Sequence, residues 1–313
     1  MTMKQQLKAL CYIAIIFGFS AIIYDSFAHI YAEVLHRNGY IKQAQGYLKL
    51  ANDDYKRATE LIPWEKHYHL QLAKSYEDSA KKYPKQSEYF SNLAINLYKE
   101  LMAFDNLNPW YQARLGLVYN DRYEITKNSA LKKNALHYAK LTTKTDPNNP
   151  LFTLHYAHLL YKHDQLDSAI DYYKKTIEMD DELYEAHFNI AAIYLSRNDT
   201  EKMVAHYQKI NRYLDTLQID PNDTPQKKQR ITKIIQQFQY TKIALANHYL
   251  SIKKPNKAYE VLNKATASID KYELLAEFFI QTNNIPAAIS VYKQLNAQLN
   301  TNTYSERISQ LQQ

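Results

Sequence analysis

Glycine and cysteine are the residues that this chain lacks most. Only four glycines occur in 313 residues, at positions 18, 39, 46 and 116, where average usage would give about 22. The sequence therefore has no material for a glycine-rich phosphate-binding loop. The single cysteine, Cys11, has no partner for a disulfide bond, so redox chemistry is excluded as a function.

Catalytic motifs are also scarce. His155 and His158 lie three residues apart, a spacing at which two histidines on one helix face can ligate zinc. No His-Glu-x-x-His motif occurs in the chain, and a metal centre at this pair stays a remote alternative. The carboxylates at 180–182 are interpreted as solvated turn residues, because nothing nearby offers a buried partner for acid/base work. We therefore expect no enzyme activity and no cofactor.

The nine prolines divide the chain into helices. Two of them, Pro255 and Pro286, fall in or just after expected turns, where the missing N–H at a helix start is tolerated. The other seven stand where one helix is expected to end and the next to begin, at 63, 84, 109, 147, 150, 221 and 225. Helices joined by short turns therefore account for nearly the whole chain.

A pattern of small and aromatic residues recurs along these helices. Between 150 and 183, Tyr156 is followed by Ala157, Ala169 comes twelve residues later, and Tyr173 four after that. The small residues let the two helices of a hairpin approach closely, while the aromatic fills the gap to the next hairpin. Such a hairpin cannot bury its own apolar face, so it must be stacked on others.

This 34-residue pattern resembles that of the tetratricopeptide repeat (TPR) family, and seven degenerate units follow it along most of the chain. The resemblance implies an all-α fold, a right-handed α-solenoid of TPR-like helical hairpins. The linker region 77–93 and the segment 120–134 lengthen two consecutive hairpins, and we expect both to protrude on one edge. The six further units are carried by Ala51, Tyr55 and Ala58; Leu72, Ala73, Tyr76, Ala94 and Tyr98; Leu115, Gly116, Tyr119 and Ala135; Ile190, Ala191, Tyr194 and Tyr207; Leu245, Ala246, Tyr249 and Ala258; and Leu275, Ala276, Phe279, Ala288 and Tyr292.

The N-terminus differs from the rest of the chain. Residues 9–24 carry no charge, and Lys4 and Lys8 precede them. This run would form about 24 Å of helix, short of a hydrocarbon core of about 30 Å, but a helix from 7 to 31 would span it. We interpret the segment as a transmembrane signal anchor that is retained, because the helical pattern continues without a break. A signal peptide cleaved after 26–28, or a buried helix of a soluble fold, are the alternatives.

The two lysines predict the orientation of this anchor. They belong on the cytoplasmic side, so the body lies on the opposite side: in a bacterium, this is a single-pass inner-membrane protein with a periplasmic body. Along the chain we expect a basic segment 1–8, the transmembrane signal-anchor helix 9–31, repeat units one to five over 32–221, a connecting segment 222–238 that can act as a hinge, repeat units six and seven over 239–302, and a C-terminal tail 303–313.

A surface that stacks on nucleic-acid bases is an alternative function. It is suggested by the 29 tyrosines, the 10 phenylalanines and the formal charge of +7. Many of these aromatics occupy packing positions of the repeat, which favours core and interface filling. The basic residues are spread along the chain, with short clusters only at 132–133 and 227–230. We therefore expect no nucleic-acid partner, and only a mild attraction to anionic lipids or acidic proteins.

The TPR resemblance implies a binding surface for proteins. In that family the first helix of each unit lines a concave surface, and ligands contact its second, fifth, ninth, twelfth and thirteenth positions. Such an apolar and aromatic surface suits an extended peptide or a partner helix; the alternative is that the solenoid covers part of it. Carried onto this chain, these positions define the predicted strip: Leu151, Leu154, His158, Tyr161, Lys162, Phe188, Leu195, Tyr240, Ile243, Asn247 and Leu250.

A second resemblance lies in the first half of the chain. The runs 58–64, 69–73 and 108–111 are similar to the TPR tails of membrane-bound O-antigen ligase and polymerase-like proteins. Those proteins carry many membrane spans that this chain lacks, so the resemblance implies an accessory subunit of envelope polysaccharide assembly. The sequence as a whole predicts a membrane-anchored TPR scaffold or adaptor that assembles or positions cell-envelope proteins. A secreted, soluble TPR binding module, released by signal cleavage, is the alternative.

Overall fold

The structure is a computed structural model that describes the backbone of residues 3–313 and the side chains of residues 18, 19 and 23–313. Within residues 3–313 it is built from helices, with no strand. The α-helices are α1 (Met3–Ala44), α2 (Leu48–Leu61), α3 (Lys66–Lys82), α4 (Ser87–Phe104), α5 (Pro109–Thr126), α6 (Ser129–Thr145), α7 (Pro150–Lys162), α8 (Leu166–Met179), α9 (Tyr184–Ser196), α10 (Thr200–Thr216), α11 (Pro225–Phe238), α12 (Tyr240–Ser251), α13 (Pro255–Asn263), α14 (Ile269–Gln281), α15 (Ile285–Leu299) and α16 (Ser305–Leu311). The prediction of an all-α fold is thereby confirmed.

The chain divides into two compact units, Met1–Asp164 and Gln165–Gln313. In the first unit each helix packs on its neighbours in sequence, from α1 against α2 through to α6 against α7. In the second unit α9 pairs with α10, α12 with α13, and α14 with α15. Both units are thus stacks of helical hairpins in which contacts are local, the arrangement of a repeat protein.

The small residues of the repeat pattern lie where helices pack closely. Gly116 faces α6 so tightly that a Cβ atom there would come within 3.3 Å of the Ala135 carbonyl oxygen. The aromatic Tyr55, Tyr98 and Tyr173 are fully buried. The predicted packing alanines are also fully buried: Ala51, Ala58, Ala73, Ala94, Ala135, Ala157, Ala169, Ala191, Ala246, Ala258, Ala276 and Ala288.

The two enlarged hairpins are lengthened by helix, and the expectation of a linker at 77–93 is wrong. Helix α3 continues to Lys82, and only the short 3-10 turn Pro84–Gln86 separates it from α4. Glu77, Ala80 and Phe90 are buried along these added turns. Because the added residues have their own buried face, they extend the packed hairpin instead of leaving it as a loop.

Two further segments that the sequence left without repeat character also form helices. Most of 222–238 is α11, which Thr224 caps and whose Ile231 and Phe238 are buried. Across this insertion α10 packs directly on α12. Residues 303–313 contain α16; its N-cap residue Tyr304 and its Ile308 pack on the last hairpin. Helix α16 covers an apolar end, as a terminal repeat must.

The N-terminal helix α1 is 42 residues long, which corresponds to about 63 Å. Its Ala28, Ala32 and Leu35 are buried, while Phe27 and Ile30 are exposed. No helix formed by the described residues has a stretch long and apolar enough to cross a membrane. The span predicted over 9–31 therefore has no support there, and the side chains of 9–17 and 20–22 lie outside the described residues.

Candidate partner-binding surfaces

The first-unit part of the predicted strip lies on α7. Asn149 caps this helix by accepting a hydrogen bond from the Leu151 backbone N–H, and Pro150 occupies the first turn. Leu151 is half-exposed, Lys162 is exposed, and His158 and Tyr161 are partly buried. Leu154 is buried instead, so it stabilises the first unit and offers a partner little surface.

Helix α7 also carries two histidines, His155 and His158, which form no metal centre with the other residues whose side chains are described. Burial, reinforced by the charge of His158, lowers the pKa of His155 to about 4, so the ring is neutral at pH 7. Among the residues with described side chains, no three His, Cys, Asp or Glu residues come together as potential metal ligands. The pair His155 and His158 thus lacks a third protein ligand within that part of the chain.

The second-unit part of the predicted strip begins on α9. Leu195 is 39% exposed at the end of this helix. Phe188, by contrast, is partly buried, with its ring centroid 6.2 Å from that of Tyr207 on α10 and 5.7 Å from that of Phe238 on α11. The inserted helix α11 therefore covers Phe188. At this residue the protein itself covers part of the predicted strip.

The strip continues on α12. Tyr240 is 52% exposed and Asn247 is exposed, while Ile243 is partly buried. Leu250 is 3% exposed, and its carbonyl oxygen accepts a hydrogen bond from Gln281 Nε2 on α14. Because α14 packs on this end of α12, Leu250 cannot serve as a contact residue without local opening.

The enlarged hairpins of the first unit enclose a cavity of about 510 Å³. Its carboxylates all have cationic partners: Glu77 binds Arg114, Asp121 lies 3.5 Å from Lys81, and Glu124 lies 2.6 Å from Lys127. The sequence predicted that these hairpins are lengthened but gave no indication of a cavity. The lining residues are Glu77, Ala80, Lys81, Pro84, Ser87, Ser91, Val118, Asp121, Glu124 and Ile125. Since its charges are compensated, this cavity has no strong preference for an ion.

Comparison with known proteins yields matches only at the level of structure. No protein-family model and no curated protein matches the sequence. A tetratricopeptide repeat protein from Parabacteroides merdae is 14% identical, with 90% of this chain and 96% of that chain covered and a TM-score of 0.50. A MamA structure is 18% identical over 61% of this chain and 98% of that one, with a TM-score of 0.46. YrrB, described as a TPR protein with an unusual peptide-binding site, is 16% identical over 56% and 82%, with a TM-score of 0.40.

At identities this low, structural similarity establishes a shared fold and nothing more. The match to the Parabacteroides merdae protein, which covers 90% of this chain, agrees with the hairpins and buried alanines described above. The resemblance to O-antigen ligase and polymerase-like proteins is not shown by these comparisons.

Proposed function

Because the chain has the tetratricopeptide repeat fold, we propose that it is a non-enzymatic scaffold that binds protein partners. The observation that carries this proposal is the exposure of apolar side chains on first helices. Tyr240 and Leu195 in the second unit, and Leu151 in the first, are between 39% and 52% exposed. These side chains contribute little to packing within their own unit, so they are available to a partner.

Two side chains of the second unit support one kind of partner. Tyr240 and Asn247 lie seven residues apart on α12, which is about 10 Å or two helical turns. An aromatic ring and an amide at that distance match a segment that presents an apolar side chain and a free backbone group. An extended peptide has both, and so does the end of a helix. Partly buried Ile243 lies between them and continues the apolar surface.

A site-specific photocrosslinker tests this proposal. We expect a benzoylphenylalanine at Tyr240 or Tyr161 to trap a protein partner in native membranes or extracts. The matched control is the same substitution at Tyr259, which is 43% exposed but lies on α13, the second helix of its hairpin. Equal trapping at Tyr259, or none at Tyr240 and Tyr161, would show that the first helices are not the binding surface.

We further infer that the N-terminal segment anchors this scaffold in a membrane, with the body on the side opposite Lys4 and Lys8. The uncharged run 9–24 supports the inference. So does the apolar side of α1, where Ile23, Phe27 and Ile30 are exposed at helical spacing. In a bacterium such a protein would position other proteins of the cell envelope, and an accessory role in polysaccharide assembly is one form of that function.

Fractionation tests the anchor independently of the partner. The full chain should sediment with membranes and resist alkaline carbonate extraction, and its body should be digested by protease added to spheroplasts. Purified protein should retain its N-terminus on sequencing. A soluble protein with a mature start near His29 would contradict the anchor and support a secreted binding module.

A further inference from the structure

The second unit has a cavity of about 330 Å³, open to solvent on one side, between α10, α12 and α13. Each helix contributes residues three or four positions apart, so each presents one continuous face. We call this the second-unit cavity. It is lined by Gln208, Asn211, Arg212 and Asp215 of α10; Lys242, Leu245 and Tyr249 of α12; Lys257, Glu260 and Val261 of α13; and Lys264, which directly follows α13.

The second-unit cavity is separate from the predicted strip. On α12 its residues follow those of the strip by two positions: Lys242 follows Tyr240, Leu245 follows Ile243 and Tyr249 follows Asn247. Two residues correspond to about 200° around an α-helix. The cavity and the strip therefore occupy opposite sides of α12, and a ligand in one does not occupy the other.

Hydrogen bonds fix both ends of the second-unit cavity. At one end Gln208 Nε2 donates to the Tyr249 hydroxyl at 2.8 Å. At the other end Asp215 accepts from Lys242 Nζ and from Lys264 Nζ, each at 2.9 Å. Partial burial opposes ionisation of Asp215, but the two lysines outweigh it and lower the pKa of this carboxyl. Asp215 is therefore a fixed negative charge that is already neutralised.

Positive charge remains between these two ends. The lining carries the four cations Arg212, Lys242, Lys257 and Lys264 against the two carboxylates of Asp215 and Glu260. Asp215 engages Lys242 and Lys264. Within the described part of the chain, no carboxylate lies at ion-pair distance from Arg212 or Lys257. The cavity thus presents the exposed guanidinium of Arg212 and the exposed ammonium group of Lys257, neither of which is in an ion pair with a described residue.

Asn211 adds an unpartnered polar group to the same wall. It is 8% exposed, and its Oδ1 lies 2.8 Å from the Thr241 hydroxyl, while its Nδ2 has no hydrogen-bond partner. The Thr241 hydroxyl has one proton and also lies 2.8 Å from the Phe238 carbonyl oxygen. Whichever end of the Asn211 amide faces Thr241, the other end has no hydrogen-bond partner. A buried polar group without a partner costs about 1–3 kcal/mol, which a ligand can recover.

We propose that the second-unit cavity binds a small organic acid, with its carboxylate at Arg212 and Lys257 and its apolar body against Leu245 and Val261. Guanidinium and ammonium groups form charge-assisted hydrogen bonds with a carboxylate. The cavity is at the lower end of the size range of ligand pockets, which favours a small molecule. Its two bounded ends favour a compact ligand over a chain that runs through.

Calorimetric titration of the full chain in detergent tests the chemistry. We expect hexanoate to bind and hexanamide, which has the same shape without the charge, to bind about tenfold more weakly or worse. Equal binding of the two would overturn the role of the carboxylate. No binding of hexanoate at millimolar concentration would overturn the site.

Charge variants locate the binding in the second-unit cavity. Lys257→Gln should weaken hexanoate about fivefold, and Glu260→Gln should tighten it about threefold because it removes a repelling carboxylate. Lys293→Gln on α15, an exposed lysine outside the lining, should change nothing. Thermal melts show whether each variant is folded, and a misfolded protein would not gain affinity as Glu260→Gln should. Unchanged affinity in both cavity variants would overturn the assignment.

A peptide is the other source of a carboxylate beside an apolar group. Acetyl-glycyl-leucine should bind no better than hexanoate, and a dipeptide that binds tenfold more tightly would replace the small acid by the C-terminus of a protein.

This inference does not depend on the partner-binding surface: Leu195→Asp should impair crosslinking at Tyr240 and leave hexanoate affinity unchanged. A Leu195→Asp protein that no longer binds hexanoate would overturn the separation of the two sites.

Discussion

The guanidinium of Arg114 donates two hydrogen bonds to the buried carboxylate of Glu77, from Nε at 3.0 Å and from Nη2 at 2.5 Å. The Tyr98 hydroxyl donates to the same carboxylate. Burial, together with the Glu77 charge, raises the pKa of Tyr98, so its hydroxyl remains a donor at any physiological pH. These three residues join α3, α4 and α5, and hence the two enlarged hairpins, through one polar cluster.

Removal of the Glu77 charge should destabilise the first unit. Glu77→Gln keeps the shape but leaves Arg114 partly buried without its counter-charge, and we expect a loss of about 2 kcal/mol in the free energy of unfolding by urea. The estimate is below the usual cost of a broken buried pair, because the Arg114 side chain is 34% exposed. Glu88→Gln, which breaks an ion pair whose carboxylate is 74% exposed, should cost no more than about 0.5 kcal/mol. Equal effects would show that the cluster is not a determinant of stability.

Gly39 should not tolerate a methyl group. A Cβ atom at this position would lie 2.8 Å from Cε1 of the fully buried Tyr55 ring, which also donates a hydrogen bond to Gln43 and is not free to move. We expect Gly39→Ala to lower the free energy of unfolding by about 1–2 kcal/mol, because overpacking outweighs the gain in helix propensity. Gly18→Ala, where nothing lies within 4 Å of the new Cβ, should not lower the urea midpoint and should raise it slightly through the gain in helix propensity. A stabilised Gly39→Ala protein would mean that α1 and α2 pack less tightly than described.

Acid should destabilise the second unit through a histidine pair. His187 Nδ1 lies 2.7 Å from His206 Nδ1, so at least one ring of the pair must be neutral to accept the hydrogen bond. Burial, followed by the charge of His206, lowers the pKa of His187 to about 4, and burial lowers that of His206. The unfolded chain, with histidine pKa values near 6.5, therefore binds more protons than the folded one as the pH falls from about 6.5 to 4.

The expected result is a loss of stability on acidification. The free energy of unfolding should be unaffected above pH 6.5 and should fall steadily as the pH drops towards 4. Between pH 7 and 5 we expect a loss of about 1–2 kcal/mol from His187. His187→Asn should flatten this part of the pH profile, measured by urea unfolding at several pH values, whatever its stability at pH 7. His137→Asn, on an exposed histidine of α6, is the control. An unaltered slope in His187→Asn would remove the pair as the source.

Helix α16 should act as a cap of the second unit. The Tyr304 ring stacks on Tyr292 at a centroid distance of 5.4 Å, and its hydroxyl donates to Glu273 at 2.6 Å. This hydrogen bond to a carboxylate raises the pKa of Tyr304 to about 12. We expect deletion of 303–313 to lower the melting temperature and to speed hydrogen exchange in α14 and α15 but not in α3–α6. Deletion of 312–313 alone, which removes two exposed glutamines, should have neither effect.

The sequence predicted the packing of the repeats because each packing position admits few residue types. Ala73 and Ala94 had to be small to let α3 approach α4, and both are fully buried. The length of those helices was not predictable from the repeat, since the pattern specifies where hairpins cross and not how far they extend. The buried face formed by Glu77, Ala80 and Phe90 carries that information instead.

The exposure of the residues in the predicted strip was also predictable only in part. Tyr240 and Leu195 are exposed where the family positions place them, and their role in binding stays a prediction. Phe188 and Leu250 are covered by α11 and α14, helices whose placement follows from tertiary packing that no single repeat specifies. The second-unit cavity had no sequence signal either, because its charged residues come from three helices and resemble a solvated surface in the linear sequence.

The continuity of α1 has a mechanical consequence. The same helix that contains the uncharged N-terminal run also supplies Ala32 and Leu35 to the first hairpin, with no flexible joint between them. A tilt of 10° at one end of a rod about 63 Å long displaces the other end by about 11 Å. We therefore expect twist, tilt or pulling force applied at the N-terminus to reach the first hairpin through one continuous helix, and motion of the hairpin to reach the N-terminus by the same route.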